Sequence, residues 1–431
     1  MKARELIALL ISVCGCTQNI GEKYPTNNEN VDFSYEIITE EEALETLFDF
    51  MDRTDIMTRS ESKRAIKSVD KYPLMTKTDS DPEAYIINFV DYKGFAVLGA
   101  RSDMDEIIAV TESGNIDPVT LGIKNPPAFG DTLIIFPALP FPDEDDEIVV
   151  DTLTADNIYS EADNDYYIGG NVSLFIQNVI QNGIKYREKD SMPSYGDEYG
   201  DSSGGSSSNG GTGNSIPAIS PMLKTNWSQT GLYDDECDNK AVGCSALALA
   251  MIIAYNEQPT TLKVNGTTIL WNSINEVNQL TSTSSETAKI QIPLLIASIY
   301  HKCSKMYFRN RNETLITPRQ IEKRMNSMQY LNVVRHKGAD YNDNMYVATL
   351  QMLSGGKPVF ISAIDGLLNG HSWVIDGCDV DNTLLHFNFG WGGTRNGYYT
   401  KNALNYELYD WHFRVITYDS PIGTNSVEIN Y

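Results

Sequence analysis

Basic residues are scarce in this chain: 33 Lys and Arg stand against 58 Asp and Glu in 431 residues, a formal charge of −25. Such a balance argues against nucleic acid or an anionic membrane surface as partner and favours a soluble, exported protein. Histidine is scarcer still, at five residues, and no His or Cys cluster shows metal-ligand spacing. There is no Walker loop, no Gly-x-Gly-x-x-Gly entering a helix and no His-Glu-x-x-His, so nucleotide and zincin-type chemistry are excluded and no cofactor or metal is expected. Of six cysteines, the four beyond residues 1–16, Cys237, Cys244, Cys303 and Cys378, do not make a disulfide framework in a chain of this size. The apolar stretch near the start, residues 6–13, is too short to span a bilayer.

What is present is a small set of chemistry-bearing residues. Gly243-Cys244-Ser245-Ala246 opens a run free of Gly and Pro, with Leu247, Leu249, Met251, Ile252 and Ile253, which predicts a largely buried helix. Cys244 falls in its first turn, where open amides and the helix dipole favour thiolate and lower the pKa from about 8.5. Ala246, Ala248 and Ala250 keep part of that helix thin. Taken alone, the segment fits an inert core cysteine as well.

Downstream, residues 372–376 read as a strand, 377–382 as a turn and 383–389 as the returning strand. Pairing Asp376 with Thr383 sets His371 opposite Asn388, with Cβ atoms about 4.5–5.5 Å apart. The Asn388 amide then fixes one ring nitrogen and leaves the other to take the thiol proton. His386 shares a strand face with Asn388 and is the weaker competitor. His301, His336 and His412 read as structural or surface residues. Gln229 is the candidate side-chain donor for a developing oxyanion, its plain alternative being a solvated loop residue.

The stretch 221–256, PMLKTNWSQTGLYDDECDNKAVGCSALALAMIIAYN, resembles the nucleophile region of streptopain-like cysteine peptidases, with Trp-x-Gln followed by Gly-Cys-x-Ala and a small-residue helix. The stretch 370–400, GHSWVIDGCDVDNTLLHFNFGWGGTRNGYYT, resembles that family's histidine hairpin and Trp-Gly-Gly loop. The resemblance implies an α+β, papain-like catalytic domain, with a helical part carrying the cysteine and an antiparallel sheet or barrel part carrying the histidine. An inhibitory α+β propeptide domain is expected before it. Cys244 would be the nucleophile, His371 the general base, Asn388 its orienting partner and Gln229 the oxyanion donor. Trp391 would shield the dyad or simply pack under its Gly-rich turn. Ser245, Leu247 and Leu249 depart from the family's usual residues and bear on helix packing and the substrate floor. The implied activity is peptide-bond hydrolysis in a self-inhibited zymogen, with peptides or proteins as substrates and the propeptide as intramolecular inhibitor. Acyl transfer to an amine and a silent papain-like surface binding or adhesion module are the competing readings.

The rest of the chain fits that layout. Lys2 and Arg4 before the apolar stretch, then Cys14-Gly15-Cys16, resemble a lipoprotein signal over residues 1–16 with Cys16 acylated, a plain secretory signal being the alternative. An outer-membrane or cell-surface lipoprotein, or a protein secreted after processing, is therefore expected. A polar tether, 17–34, leads to a propeptide domain, 35–190, containing an amphipathic helix near 40–48 and strands near 84–90, 94–99 and 106–110. Its acidic, Pro-rich portion, 126–164, has no assigned role. Residues 191–215 form a Gly- and Ser-rich linker suited to proteolytic cutting, before a catalytic domain at 216–431. Any disulfide would come from Cys237, Cys303 and Cys378, since a nucleophile must stay free.

Overall fold

The computed structural model describes residues 35–54, 64–72, 81–117, 179–180, 183–184, 216–237, 241–303, 306–307, 314–338, 341–365, 369–404 and 411–431. The signal-like start with Cys16, the tether, the 126–164 portion and the 191–215 linker lie outside these residues.

Thr39 opens the first helix, α1 (Glu40–Arg53), through a capping box: its hydroxyl accepts from the Glu42 amide at 3.3 Å while the Glu42 carboxylate accepts from the Thr39 amide at 2.8 Å. Glu40, Glu41 and Glu42 complement the helix dipole, and Ala43, Leu47, Phe50 and Met51 form the buried stripe. Four antiparallel strands follow, β1 (Ile66–Tyr72), β2 (Ala84–Phe89), β3 (Phe95–Gly99) and β4 (Ile107–Thr111). Every residue of β2, β3 and β4 is buried, because the sheet is covered on both faces. Strand alternation sorts them: Tyr85, Ile87 and Phe89 join α1 in one core, whereas Ala84 and Ile86 join the large core of the C-terminal part.

The C-terminal part begins its helical half with α2 (Cys244–Asn256), buried on all sides from Ser245 to Ala254 as its unbroken apolar run predicts. After β5 (Thr261–Val264) and β6 (Thr267–Thr268), α2 is packed by α3 (Trp271–Asn275), α4 (Glu286–Tyr300) and, beyond the β7 (Met306–Tyr307) and β8 (Thr314–Leu315) pair, α5 (Pro318–Ser327). Ser285 and Thr317 cap α4 and α5 by accepting from Ala288 and Gln320 amides. The sheet half comprises β9 (Leu331–Gly338), α6 (Asp343–Ser354), β10 (Val359–Asp365), β11 (Asn369–Cys378), β12 (Leu384–Asn388), β13 (Gly397–Thr400) and β14 (Trp411–Asp419). A short strand β15 (Ser426–Ile429) returns parallel to β5.

The expected α+β architecture is therefore present, with one feature that local patterns do not announce. β1 to β4 and the C-terminal strands form a single ten-stranded antiparallel sheet, in the order β1-β2-β3-β4-β13-β12-β11-β10-β14-β9. The seam is β4 against β13, with Tyr398 opposite Val110 and Tyr399 opposite Ala109. Tyr398 and Leu384 complete the core beneath α1, where the Phe50 ring meets Tyr398 edge-on at 5.4 Å. Residues 35–431 accordingly form one compact unit. Cys244, partly accessible, and Cys378, buried, are free thiols.

Candidate active site

Gly243, with φ 83°, turns the chain into α2, and no side chain caps the helix start, so its first amides stay open to other partners. Residues 225–229 run alongside and stitch this start to the Trp-Gly-Gly loop. The Val242 amide donates to the Gln229 carbonyl at 3.0 Å, the Gly392 amide to the Trp227 carbonyl at 2.9 Å, and Asn388 Nδ2 to the Thr225 carbonyl at 2.8 Å. Gly390, at φ 70°, lets the loop lie on α2: a Cβ there would stand 2.9 Å from Leu247 Cδ2. Gln229 is thus anchored through its backbone carbonyl to Val242, two residues before Cys244.

Cys244 keeps part of its surface accessible. Burial nevertheless pushes its thiol pKa up, opposed by hydrogen bonds from the Ser372 amide and hydroxyl and from Ser245. The expected lowering at a helix start is therefore not the net result here, because desolvation outweighs the open amides. The Ser245 and Ser372 hydroxyls lie 2.9 Å apart, so the residues that follow Cys244 and His371 are bonded to each other. This bond joins α2 to β11 beside the two residues.

The hairpin differs from its predicted register. β11 continues to Cys378 and β12 begins at Leu384, with Cys378 opposite Leu385 and Val374, rather than His371, opposite Asn388. A bulge lies between Ile375 and Gly377. Residues 219–222 cause the extension: Ile219 bridges Cys378, and a Cβ on Gly377 would stand 2.6 Å from the Ile219 carbonyl oxygen. Extending the register from Val374 and Asn388 brings position 391 level with 371, and the His371 and Trp391 rings do stack, 4.4 Å between centroids at 22°.

Asn388 is consequently not the group that orients the imidazole. Its Oδ1 accepts from the Gly390 amide at 3.1 Å and its Nδ2 holds Thr225, so it fixes the loop instead. The orienting acceptor is the Phe389 backbone carbonyl, 2.9 Å from His371 Nε2. A carbonyl only accepts, so Nε2 carries the proton and Nδ1 of the neutral ring is left as the basic nitrogen. Burial pushes the His371 pKa down to about 3, the Phe389 bond opposing it. Sequence reasoning had no signal for a backbone acceptor, since every residue carries one.

His386 also departs from expectation. It lies on β12 with Nδ1 2.6 Å from Asp376 Oδ1 and Nε2 3.5 Å from Glu112 Oε1, which belongs to the N-terminal domain. Burial alone would lower its pKa, but the charge and hydrogen bond of Asp376, followed by Glu112, raise it to about 9. His301 Nε2 lies 2.7 Å from the Glu236 carbonyl and His336 Nε2 3.0 Å from the Thr417 hydroxyl, structural positions as expected; His412 lies on β14. Among the described residues no His, Cys, Asp and Glu group could hold a metal.

The N-terminal domain reaches the same loop. Ser113 Oγ donates to the Gly393 carbonyl at 3.0 Å and accepts from the Arg395 amide at 3.1 Å, while the Glu112 amide donates to the Asn396 carbonyl at 2.7 Å. Ser113, Glu112 and Ser372, partner of Ser245, were not singled out from the sequence, where they stand as ordinary polar residues.

A helix-borne thiol beside a histidine-bearing strand with a stacked tryptophan, and an N-terminal α+β domain closing the sheet, give a papain-like fold. Residues 226–399 match the Peptidase C10 family and residues 35–125 match the Spi protease inhibitor family. The C-terminal part is thus similar to Peptidase C10 enzymes over residues 226–399, and an inhibitor-type stretch, 35–125, precedes it. Streptopain of Streptococcus pyogenes is 26% identical over 215 residues, covering 45% of this chain and 53% of that protein. The thiol protease/hemagglutinin PrtT of Porphyromonas gingivalis is 35% identical over 79 residues, 18% of this chain and 8% of that protein. The chain thus spans about half, or far less, of the curated relatives it matches. A solved fragment of prointerpain A from Prevotella intermedia shares the fold, with a TM-score of 0.50 at 17% identity over 81% of this chain and 98% of the fragment.

Proposed function

We propose that the chain is a cysteine endopeptidase made as a self-inhibited zymogen. The observation that carries this reading is the Ser245–Ser372 bond, which holds the neighbours of Cys244 and His371 together while Trp391 covers the ring. In the mature enzyme Cys244 gives its proton to His371 Nδ1 and the sulfur attacks the scissile carbonyl. The developing oxyanion is received by an amide at the start of α2 and by the Gln229 side-chain amide. His371 then protonates the leaving amine, and a water it deprotonates hydrolyses the thioester. Phe389 fixes the tautomer, Asn388 fixes the loop that supplies Phe389, and Trp391 shields the ring.

The inhibitor-type domain supports latency by clipping residues 393–396 through Ser113 and Glu112 and by capping the sheet at β13. In this state both dyad members are held neutral, the thiol by burial and the imidazole by burial. Cutting the 191–215 linker and displacing this domain is the proposed activation step. Export with acylation at Cys16 accompanies the reading, and loss of palmitate-analogue labelling in Cys16→Ala tests it.

Purified full-length chain, followed by mass spectrometry with time, is expected to process itself and then cleave peptides, whereas Cys244→Ala does neither. Iodoacetamide should label Cys244 in the processed form and abolish cleavage. Peptide cleavage that survives Cys244→Ala sinks the proposal. A chain that is cut in its linker by an added protease yet stays inactive would instead support a silent binding module.

A further inference from the structure

Antiparallel pairing sets Ser372 opposite Ser362, Ser362 opposite Arg414 and Arg414 opposite Lys337, so these four side chains share one face across β11, β10, β14 and β9. Ser372 bonds Ser245, which identifies that face as the one beneath α2. Two residues along the same face Ile416 is fully buried, whereas Arg414 keeps part of its surface and Lys337 is exposed. The helical cover therefore ends at Arg414, in the row of the residue that follows His371.

The fold uses one nitrogen of this guanidinium. Nη1 donates to the Phe413 carbonyl at 2.7 Å and to the Gly338 carbonyl at 3.4 Å. Nε and Nη2 bond nothing among the described residues and are not sealed from solvent. Those two groups are the fork with which Arg101 grips Asp103 elsewhere in this chain, at 2.9 and 2.7 Å. Glu322 of α5 is taken by Arg335 at 2.8 Å, and Arg335 adds a like charge beside Arg414. A half-buried guanidinium whose bidentate edge is open, with Arg335 and Lys337 as neighbours, is built to receive a carboxylate.

We infer that Arg414, supported by Lys337, determines specificity on the acyl side of the scissile bond and selects an aspartate or glutamate side chain there. The inference rests on the peptidase reading. Sheet order assigns the sides: β12, which leads into the Trp391 loop, flanks β11 on one side, and β10, β14 and β9 lie on the other. His371 protonates the leaving amine beside Trp391, so the leaving half of the substrate departs towards β12 and the acyl half extends over β10 and β14. Strands about 4.8 Å apart put Arg414 roughly 10 Å from Ser372, and an extended peptide rises about 3.3 Å per residue, so the guanidinium meets the second or third residue on the acyl side. A carboxylate there takes both Nε and Nη2, whereas a glutamine offers one oxygen and no charge.

The test takes a quenched fluorogenic peptide that the processed enzyme cleaves and places Glu, Gln or Lys at the second acyl-side residue, then at the third. At one of the two positions kcat/KM for the Glu peptide is expected to exceed that for the Gln peptide by about tenfold, chiefly through KM, and the excess should shrink as salt is raised. Arg414→Gln should bring that ratio to about one, and Arg414→Glu should turn the preference towards the Lys peptide. Lys337→Gln should lower the ratio only about twofold, because that side chain is exposed. Equal rates on Glu and Gln peptides at both positions overturn the inference, as does a Glu preference that survives in folded Arg414→Gln. If Arg414→Gln does not fold, a Glu preference unmoved by both salt and Lys337→Gln overturns it. Equal rates that still vanish in Cys244→Ala leave the peptidase reading standing and remove the acidic preference alone, whereas cleavage persisting in Cys244→Ala removes both.

Discussion

Two imidazoles on neighbouring strands of one hairpin, His371 on β11 and His386 on β12, are almost equally hidden, at 7% and 3% exposure, yet their chemistry runs in opposite directions. His371 faces Trp391, Trp373 and Phe389 and has a neutral carbonyl as the acceptor for Nε2, so burial takes its pKa to about 3. His386 has the Asp376 carboxylate at 2.6 Å and Glu112 at 3.5 Å, and its pKa rises to about 9. Burial is common to both; the partner decides the sign. The lesson is that burial beside aromatic rings and a neutral carbonyl leaves an imidazole uncharged, whereas a carboxylate partner makes it a cation.

The largest effect that could break this contrast is catalytic. His371→Ala is expected to lower peptide cleavage by the processed enzyme by about 10²–10⁴-fold while thermal unfolding still reports a folded chain. Cleavage reduced only slightly would remove His371 from the chemistry. His386→Ala should show the reverse pattern: it leaves Asp376, 0% exposed, with its Oδ2 accepting from the Leu223 amide but its Oδ1 stripped of the imidazolium. Breaking a buried pair from one side costs about 3–5 kcal/mol, readable as a lower urea midpoint. An unchanged midpoint would show that the pair does not support the fold.

The two rings also divide the pH axis. His386, raised from an unfolded value near 6.5, contributes stability that is fully present below that value and lost as pH climbs through about 9, about 3 kcal/mol in all. His371, depressed to about 3, contributes stability present above about 6.5 and lost as pH falls towards 3. Urea titrations at stepped pH should therefore show the alkaline loss flattened in His386→Gln and part of the acid loss flattened in His371→Gln. The reverse assignment would sink the contrast. The smallest effect belongs to Glu112→Gln, because this carboxylate is 27% exposed and sits 3.5 Å from the ring. About 0.5 kcal/mol of stability should go, with faster self-processing of the full chain as the more sensitive reading.

How much of this was legible beforehand follows the range of the interactions. α2 was readable from its unbroken apolar run, α1 from its amphipathic stretch near 40–48, and β2 to β4 from short apolar segments between turns. The positions of Cys244, His371 and Trp391 were readable because the two motif blocks quote them directly. Asn388 was readable as part of the site but not in its role. Its expected place opposite His371 assumed a hairpin that turned at Gly377, and the chain turns later because residues 219–222 cross at that point. That crossing joins residues far apart in sequence, and no pattern within 370–390 carries it. The same holds for Glu112 and Ser113, whose importance depends on β4 meeting β13.

The amino-acid order alone decided which segments bury themselves, which residues could be nucleophile and base, and that an α+β domain precedes the peptidase part, because periodicity, capping and motif spacing are local. Only the folded chain decided that Phe389 rather than Asn388 holds the imidazole, that desolvation raises the thiol, that the two serines meet, and that both domains share one sheet. Those outcomes depend on which backbone group or charge arrives from a distant segment, and distance in space is what a linear sequence does not encode residue by residue.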